Sequence, residues 1–129
     1  MEESFNNSKT IQTRIIMPTD LNDRKILFGG KAMQWMDEVA YIAAKRFSKM
    51  DTITVSADKI QFLEPANEGE ILKIIGEVEN LVGIKIKIRV NIYAEDPKTQ
   101  GERKIISGLF TFVALNAVNK PTRVTLKKS

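Results

Sequence analysis

The spacing of hydrophobic residues changes twice along the chain, and these changes predict its elements. Residues Thr10 to Met17 alternate between apolar and polar side chains, which is typical of a strand, and Pro18 closes that strand. A polar segment from Thr19 to Leu27 predicts a loop. The stretch FGGKAMQWMDEVAYIAAKRF, residues 28–47, then carries apolar residues at helical spacing. One strand, one loop and one long helix are therefore expected first.

After the helix the apolar period shortens to two residues. Four long segments follow this alternation and predict strands at Asp51 to Pro65, Gly69 to Gly83, Ile84 to Glu95 and Arg103 to Asn116. The last residues, NKPTRVTLKKS (119–129), are expected to form a loosely held tail. A helix rich in small and Met side chains needs cover on most sides, and an antiparallel sheet curled around it supplies that cover. The predicted fold class is α+β with one central helix.

The predicted helix carries an acid where its buried face begins. Its apolar face contains Met33, Met36, Ala40, Ala43, Ala44 and Phe47, and its polar face contains Lys31, Gln34, Glu38, Tyr41 and Lys45. Asp37 falls on the edge of the apolar face, where a charged carboxylate is costly. From the residues alone, Asp37 is either a catalytic acid or a structural one paired with Lys or Arg from the sheet, and Glu38 is expected to be solvated.

Two glycines begin this helix and have two interpretations. Gly29 and Gly30 lie where free backbone N–H groups point outward and the helix dipole is positive, which suits a developing oxyanion. They are equally suited to a tight entry from the loop into the helix. Asn22, in the preceding loop, has the chemistry to hold a carbonyl or a water, and it is also a common turn residue.

The residue types that the chain lacks exclude several kinds of catalytic and metal site. The 129 residues are 43% hydrophobic, which fits a single domain, residues 1–129, with a proper core. Without Cys or His there is no thiolate nucleophile, no imidazole base and no metal site built on either residue. The net charge of +4 comes from scattered cations, which argues against nucleic acid. We expect no metal, no cofactor, no membrane span and a cytoplasmic location, since the N-terminus is acidic and polar.

Five segments together resemble one family. They are Asn22 ahead of Phe28-Gly29-Gly30, the Met-Asp-Glu-Val-Ala run within Trp35 to Arg46, Thr54 to Asp58 followed by Phe62, Pro65 and Gly69, the Gly-Glu-Arg at 101–103, and FTFVALN. In this order and spacing they resemble the hotdog-fold acyl-CoA thioesterases, specifically the bacterial short-chain acyl-CoA thioester hydrolases and brain acyl-CoA hydrolase. The chain departs from the family at Arg24-Lys25, where members usually carry Asn-Gly or a similar turn.

The resemblance implies a fold, a reaction and a site. The fold would be the hotdog, an antiparallel sheet wrapped around one long helix, and the reaction would be hydrolysis of acyl-CoA to free acid and coenzyme A. Asp37 would be the general base or nucleophile, Gly30 would stabilise the oxyanion, and Asn22 would hold the carbonyl or the water. Gly29 would contact the substrate.

Assembly and coenzyme A contacts are further implications. Family members form dimers, often trimers of dimers, so a homodimer or homohexamer is expected, with Asn from one subunit and Asp from another at each site. Lys85, Lys87 and Arg89 alternate with isoleucines, which usually marks the wet face of a strand, yet their charge could meet the phosphates of coenzyme A. The alternative function is a non-catalytic acyl-CoA-binding module.

Overall fold

The predicted elements appear in the predicted order. The computed structural model describes residues 9–125, so most of the acidic N-terminus and the last four residues of the predicted tail lie outside the described residues. The elements are β1 (Thr10–Ile15), a 3₁₀ turn (Pro18–Asp20), α1 (Gly29–Ser48), β2 (Thr52–Phe62), β3 (Ile71–Val82), β4 (Lys85–Glu95), β5 (Glu102–Leu115) and β6 (Pro121–Thr122). Within residues 9–125, no helix is both long and apolar enough to cross a bilayer.

The strands form one antiparallel sheet around α1. Their order is β1-β3-β4-β5-β2, with β6 paired to β5, so β1 and β2 lie at opposite edges of the main path. Burial alternates along β4, where Ile86, Ile88, Val90, Ile92 and Ala94 face the helix and are buried. These side chains pack with the buried face of α1 in one core. The expected α+β architecture with a central helix is confirmed.

The buried face of α1 is wider than the predicted one. Trp35 and Val39 are buried together with Met36, Ala40, Ala43, Ala44 and Phe47, whereas Met33 is only partly buried. The sheet wraps far enough around the helix to cover residues outside a narrow stripe. Lys49 is the C-cap of the helix; it takes the left-handed conformation with φ of 57° and donates its N–H to Lys45 O.

Two segments are more ordered than the sequence predicts. Part of the supposed tail forms β6, which pairs Thr122 with Ala114, and Val124 packs partly buried against the core. The prediction of a loosely held tail is therefore wrong for these residues. The predicted loop before α1 contains the 3₁₀ turn and a bridge between Leu21 and Leu27, and its Asp20 is buried.

The edge strand β2 is irregular and mostly exposed. It has bulges between Thr54 and Ser56 and between Asp58 and Gln61, and most of its residues are exposed. Among them are the large apolar side chains of Ile53 and Val55. An apolar edge strand of this kind is a surface on which another chain can pack.

Candidate functional site

Asp37 is held by a hydroxyl group. Its Oδ1 accepts a hydrogen bond of 2.9 Å from Thr54 Oγ1, which joins the middle of α1 to the edge strand β2. Within the described residues no Lys or Arg lies within 4.0 Å of the Asp37 carboxylate. Among residues 9–125, Asp37 is therefore not paired with a cation from the sheet, and its Oδ2 has no partner there.

The next residue, Glu38, has the opposite environment. Arg14 Nη2 on β1 lies 3.1 Å from Glu38 Oε1, and Gln34 Nε2 donates to Oε2 at 3.3 Å. The guanidinium of Arg14 also stacks 4.9 Å from the ring centroid of Trp35. The Glu38 side chain is 43% exposed, as expected of a solvated residue, but it also ties α1 to β1.

The start of α1 presents uncapped donors. Phe28 is the N-cap without a side-chain cap, and the first turn contains no acid. In the described part of the chain, the N–H groups of Gly29 and Gly30 have no acceptor, while those of Lys31 and Ala32 donate to Phe28 O. Neither glycine has a positive φ. The helix start can therefore donate to an anionic oxygen, and the glycines are not there for a left-handed turn.

Asn22 is both a turn residue and a free donor. Its Oδ1 accepts the N–H groups of Arg24 at 2.8 Å and Ile26 at 3.3 Å. Two backbone donors fix which end of the amide is oxygen, so Nδ2 points away and has no acceptor among residues 9–125. Lys25 takes φ of 63°, the left-handed conformation that Asn or Gly favours, so the turn forms despite the departure at Arg24-Lys25.

A buried acid links the Asn22 loop to the helix start. Asp20 Oδ2 accepts Met17 N–H at 2.9 Å, and its Oδ1 lies 3.7 Å from Lys31 Nζ. Asp20 O also accepts Phe28 N–H at 2.9 Å. The polar character of the loop concealed this role. Thr54 was overlooked as well, although it is the first residue of the Thr-x-x-x-Asp segment that carries the family resemblance.

The cationic stripe lies apart from these groups. Lys85, Lys87 and Arg89 alternate with the buried residues of β4, so they face away from α1. Arg89 forms two hydrogen bonds with Glu79, at 3.2 and 3.3 Å, and Lys87 Nζ donates to Thr111 Oγ1 at 3.0 Å. The structure joins Asp37 to Thr54, and it joins the Asn22 loop to the start of α1 through Asp20, but it shows no contact of the stripe with either group.

A separate charged cleft lies at the turn between β4 and β5. Its volume is about 1080 Å³, and Arg103 and Glu70 are among its lining residues. Arg103 bonds Glu70 through both terminal nitrogens, at 2.8 and 3.1 Å. Those hydrogen bonds lower the pKa of Glu70 and raise the pKa of Arg103. Thr54 pairs with Phe112 on β5, about 30 Å along that strand from Arg103, so this cleft is not the Asp37 site.

Comparison with known proteins gives one consistent family. Residues 25–100 match the family model of the thioesterase superfamily. The uncharacterized acyl-CoA thioester hydrolase YkhA of Bacillus subtilis is 34% identical over 118 residues, which cover 91% of this chain and 68% of YkhA. A hexameric acyl-CoA thioesterase in its apo form superposes with a TM-score of 0.87 at 28% identity, covering 93% of this chain and 77% of that one.

The acyl-CoA hydrolase of Staphylococcus aureus is also similar. Its complex with butyryl coenzyme A, coenzyme A and coenzyme A disulfide has a TM-score of 0.90 and 30% identity, covering 93% of this chain and 73% of that one. Variants of that enzyme with one Asn, one Asp or one Thr replaced by Ala have also been solved. The replaced positions have the same separations in sequence as Asn22, Asp37 and Thr54. Fold and sequence agree that this chain belongs to the thioesterase superfamily and has the hotdog fold.

Proposed function

We propose that this protein hydrolyses acyl-CoA thioesters to the free acid and coenzyme A, with Asp37 as the general base. The observation that carries the proposal is the hydrogen bond from Thr54 to Asp37 Oδ1. A hydroxyl donor orients the carboxylate without a cation to neutralise it, so Oδ2 can accept a proton from water. The similarity to the acyl-CoA hydrolases supports the same reaction.

Each of the candidate groups has a role in the proposed hydrolysis. Asp37 takes a proton from water as the water oxygen attacks the thioester carbon, and the carbonyl oxygen becomes an oxyanion. The N–H groups of Gly29 and Gly30 and the Nδ2 of Asn22 are the donors for this oxyanion or for the water. Collapse of the tetrahedral intermediate breaks the C–S bond, and the departing sulfur of coenzyme A receives the proton from Asp37. This last transfer restores the carboxylate.

The site is proposed to be shared between subunits of a homodimer or a trimer of dimers. Gly30 and Asp37 are seven positions apart in α1, a rise of about 10 Å along the helix axis. The base and the oxyanion donors of one chain are therefore too far apart to act on the same thioester. Thr54, the partner of Asp37, lies on the exposed apolar edge strand where a second copy can pack. The hexameric relative supports such an assembly.

An acyl-CoA panel assayed for released thiol tests the activity. Hydrolysis of at least one member by the wild-type protein is the expected result. The alternative function, an acyl-CoA-binding module, predicts tight binding of the same ligands with no thiol release above the uncatalysed rate. Calorimetry on a non-hydrolysable thioether of coenzyme A separates this outcome from a failure to bind.

Mixing two inactive variants tests the shared site. Asn22→Ala and Asp37→Ala chains are combined under conditions that exchange subunits. A mixed dimer regenerates one intact site if Asn22 and Asp37 come from different chains, so activity returns. Sites contained within one chain give no recovery even when mass spectrometry proves exchange, and that result would reject the shared arrangement.

The proposal also assigns the phosphates of coenzyme A to the cationic stripe. Lys85 is exposed, whereas Lys87 and Arg89 already have partners, so Lys85 is the most available cation for a coenzyme A phosphate. Lys85→Ala with Lys87→Ala should raise KM for acyl-CoA with little change in kcat, since phosphates are held equally in the ground and transition states. Hydrolysis of an acyl-pantetheine, which lacks those phosphates, should not respond.

A further inference from the structure

Two phenylalanine rings are exposed at the start of α1. Phe28, the N-cap of the helix, is 54% exposed, and Phe62, the last residue of β2, is 58% exposed. The two come from different elements, and neither is part of the proposed proton transfer. Large aromatic side chains are usually buried or in contact with a ligand or partner, so a pair of exposed rings at one place needs a reason.

Each ring lies against one of the two glycines, Phe28 against Gly30 and Phe62 against Gly29. A Cβ added to Gly30 would come within 2.6 Å of Phe28 Cε2, and one added to Gly29 would lie 3.4 Å from Phe62 Cζ. Glycine is a poor helix former, and the backbone here does not require it because neither φ is positive. A side chain at position 30 would have to displace the Phe28 ring, and one at position 29 would touch the Phe62 ring, so the two glycines let both rings lie close to the helix start.

The backbones that carry these rings are well anchored. Phe28 donates its N–H to Asp20 O at 2.9 Å and accepts the N–H of Lys31 at 3.1 Å. Phe62 pairs with Ile106 on β5, and the next residue, Leu63, donates its N–H to Ile105 O at 2.8 Å. The rings are thus presented on fixed elements, which is the arrangement of a preformed binding wall.

We propose that Phe28 and Phe62 form the wall along which the acyl chain lies beyond its second carbon, and that they so determine which acyl chains are hydrolysed. This inference rests on the proposed function, in which the thioester oxygen lies at the N–H groups of Gly29 and Gly30. The acyl chain is bonded to that same carbonyl, so it must leave the site past the groups beside these glycines.

The chemistry of the rings favours the acyl chain over the pantetheine arm. Both groups are attached to the thioester, but the pantetheine arm carries amides that need hydrogen-bond partners. Phenyl rings offer only apolar surface, and an alkyl chain gains by covering them. The rings should therefore strengthen binding as the acyl chain lengthens and should contribute little for an acetyl group.

Chain-length dependence in two variants tests the inference. Phe28→Ala and Phe62→Ala are assayed for kcat/KM with acetyl-CoA and decanoyl-CoA, and the ratio of decanoyl to acetyl should fall by about tenfold or more. Leu63→Ala is the matched control, because Leu63 is a similarly exposed apolar neighbour that does not lie over the glycines. Its ratio should stay within about twofold of wild type, a factor worth only a few tenths of a kcal/mol.

Binding measurements separate this inference from the proposed function. S-decyl and S-ethyl thioethers of coenzyme A cannot be hydrolysed, so their affinities report on the rings even if the protein proves to lack thioesterase activity. Loss of the decyl advantage in the two variants supports the inference. Equal losses for both thioethers, or losses that accompany dissociation of the oligomer in light scattering, would overturn it in favour of a pantetheine contact or a subunit contact.

Discussion

Asp37 and Glu38 are adjacent acids on one helix that reach opposite edges of the same sheet. Consecutive helical positions differ by about 100°, so one side chain points to β2 and the other to β1. Glu38 meets the guanidinium of Arg14 at 3.1 Å, and Asp37 meets the hydroxyl of Thr54 at 2.9 Å. One acid is thus neutralised by a cation, and its neighbour is only oriented.

That difference separates an acid that supports packing from one that has an oxygen available for a reaction. Both carboxylate oxygens of Glu38 have partners, Arg14 and Gln34, so this acid supports packing and leaves no oxygen free for a substrate or a water. A carboxylate held by one hydroxyl keeps an oxygen for water. Arg14 also covers Trp35 at the β1 edge, although both edges expose apolar side chains, Ile11 and Ile15 on β1 and Ile53 and Val55 on β2.

Replacement of each acid by its uncharged amide should give the largest difference in kcat between the two positions. Asp37→Asn keeps an oxygen for the Thr54 hydroxyl but cannot accept a proton, so kcat should fall by about 10²- to 10⁴-fold. Glu38→Gln should change kcat by less than about threefold, because it alters an ion pair that supports packing. Thiol release from the best acyl-CoA measures both. Similar losses in the two variants would show that the acids do not divide their roles in this way.

Removal of the orienting hydroxyl should have the next largest effect. Thr54→Val keeps the shape of the side chain and deletes the donor to Asp37, and a hydrogen bond to a charged group is worth about 1.5–3 kcal/mol. We expect kcat to fall by about 10- to 100-fold with little change in KM. Thr54→Ser restores the hydroxyl and should recover most of the activity. A Val variant as active as wild type would mean that Asp37 is oriented by something else.

The sequence predicted the elements well because their signals are local. Helical spacing in residues 28–47 and alternation after residue 51 gave one helix and four long strands with ends within about three residues of those observed. The same period put Asp37 at the edge of the buried face, where it is found partly buried. Glycines at the helix start were also located correctly.

The partners of the two acids could not be predicted from those signals. Thr54 reaches Asp37 and Arg14 reaches Glu38 only because β2 and β1 occupy the two edges of the sheet, and strand order depends on long-range pairing that periodicity does not encode. Asp20 was missed for a related reason, since a polar loop gives no sign that one of its acids will be buried. The short β6 strand was likewise hidden in a polar tail.

Removal of the cation at the β1 edge should affect stability but not catalysis. Arg14→Met deletes the ion pair to Glu38 and the stacking on Trp35, and both side chains of the pair are partly exposed, so the free energy of unfolding should fall by about 1 kcal/mol or less. Urea unfolding at a fixed protein concentration measures this change. A kcat lowered as far as in Thr54→Val would show instead that the β1 edge positions Asp37.

The smallest expected effect concerns a second acid that is paired with a cation. Hydrogen bonds from Arg103 lower the pKa of Glu70, so the unfolded chain binds a proton at a higher pH than the folded protein does. The resulting stability is fully present above the unfolded-state pKa and is lost as the pH falls through the folded-state pKa. Glu70→Gln should therefore be less stable than wild type at neutral pH and should lose less stability on acidification.

The matched control is Glu68→Gln, since Glu68 is an exposed acid in the same turn. Its stability, measured by thermal unfolding across the acid range, should depend on pH in nearly the same way as that of wild type. If Glu70→Gln and wild type instead lose stability in parallel, the Arg103 pair is not what makes this end of the sheet sensitive to acid.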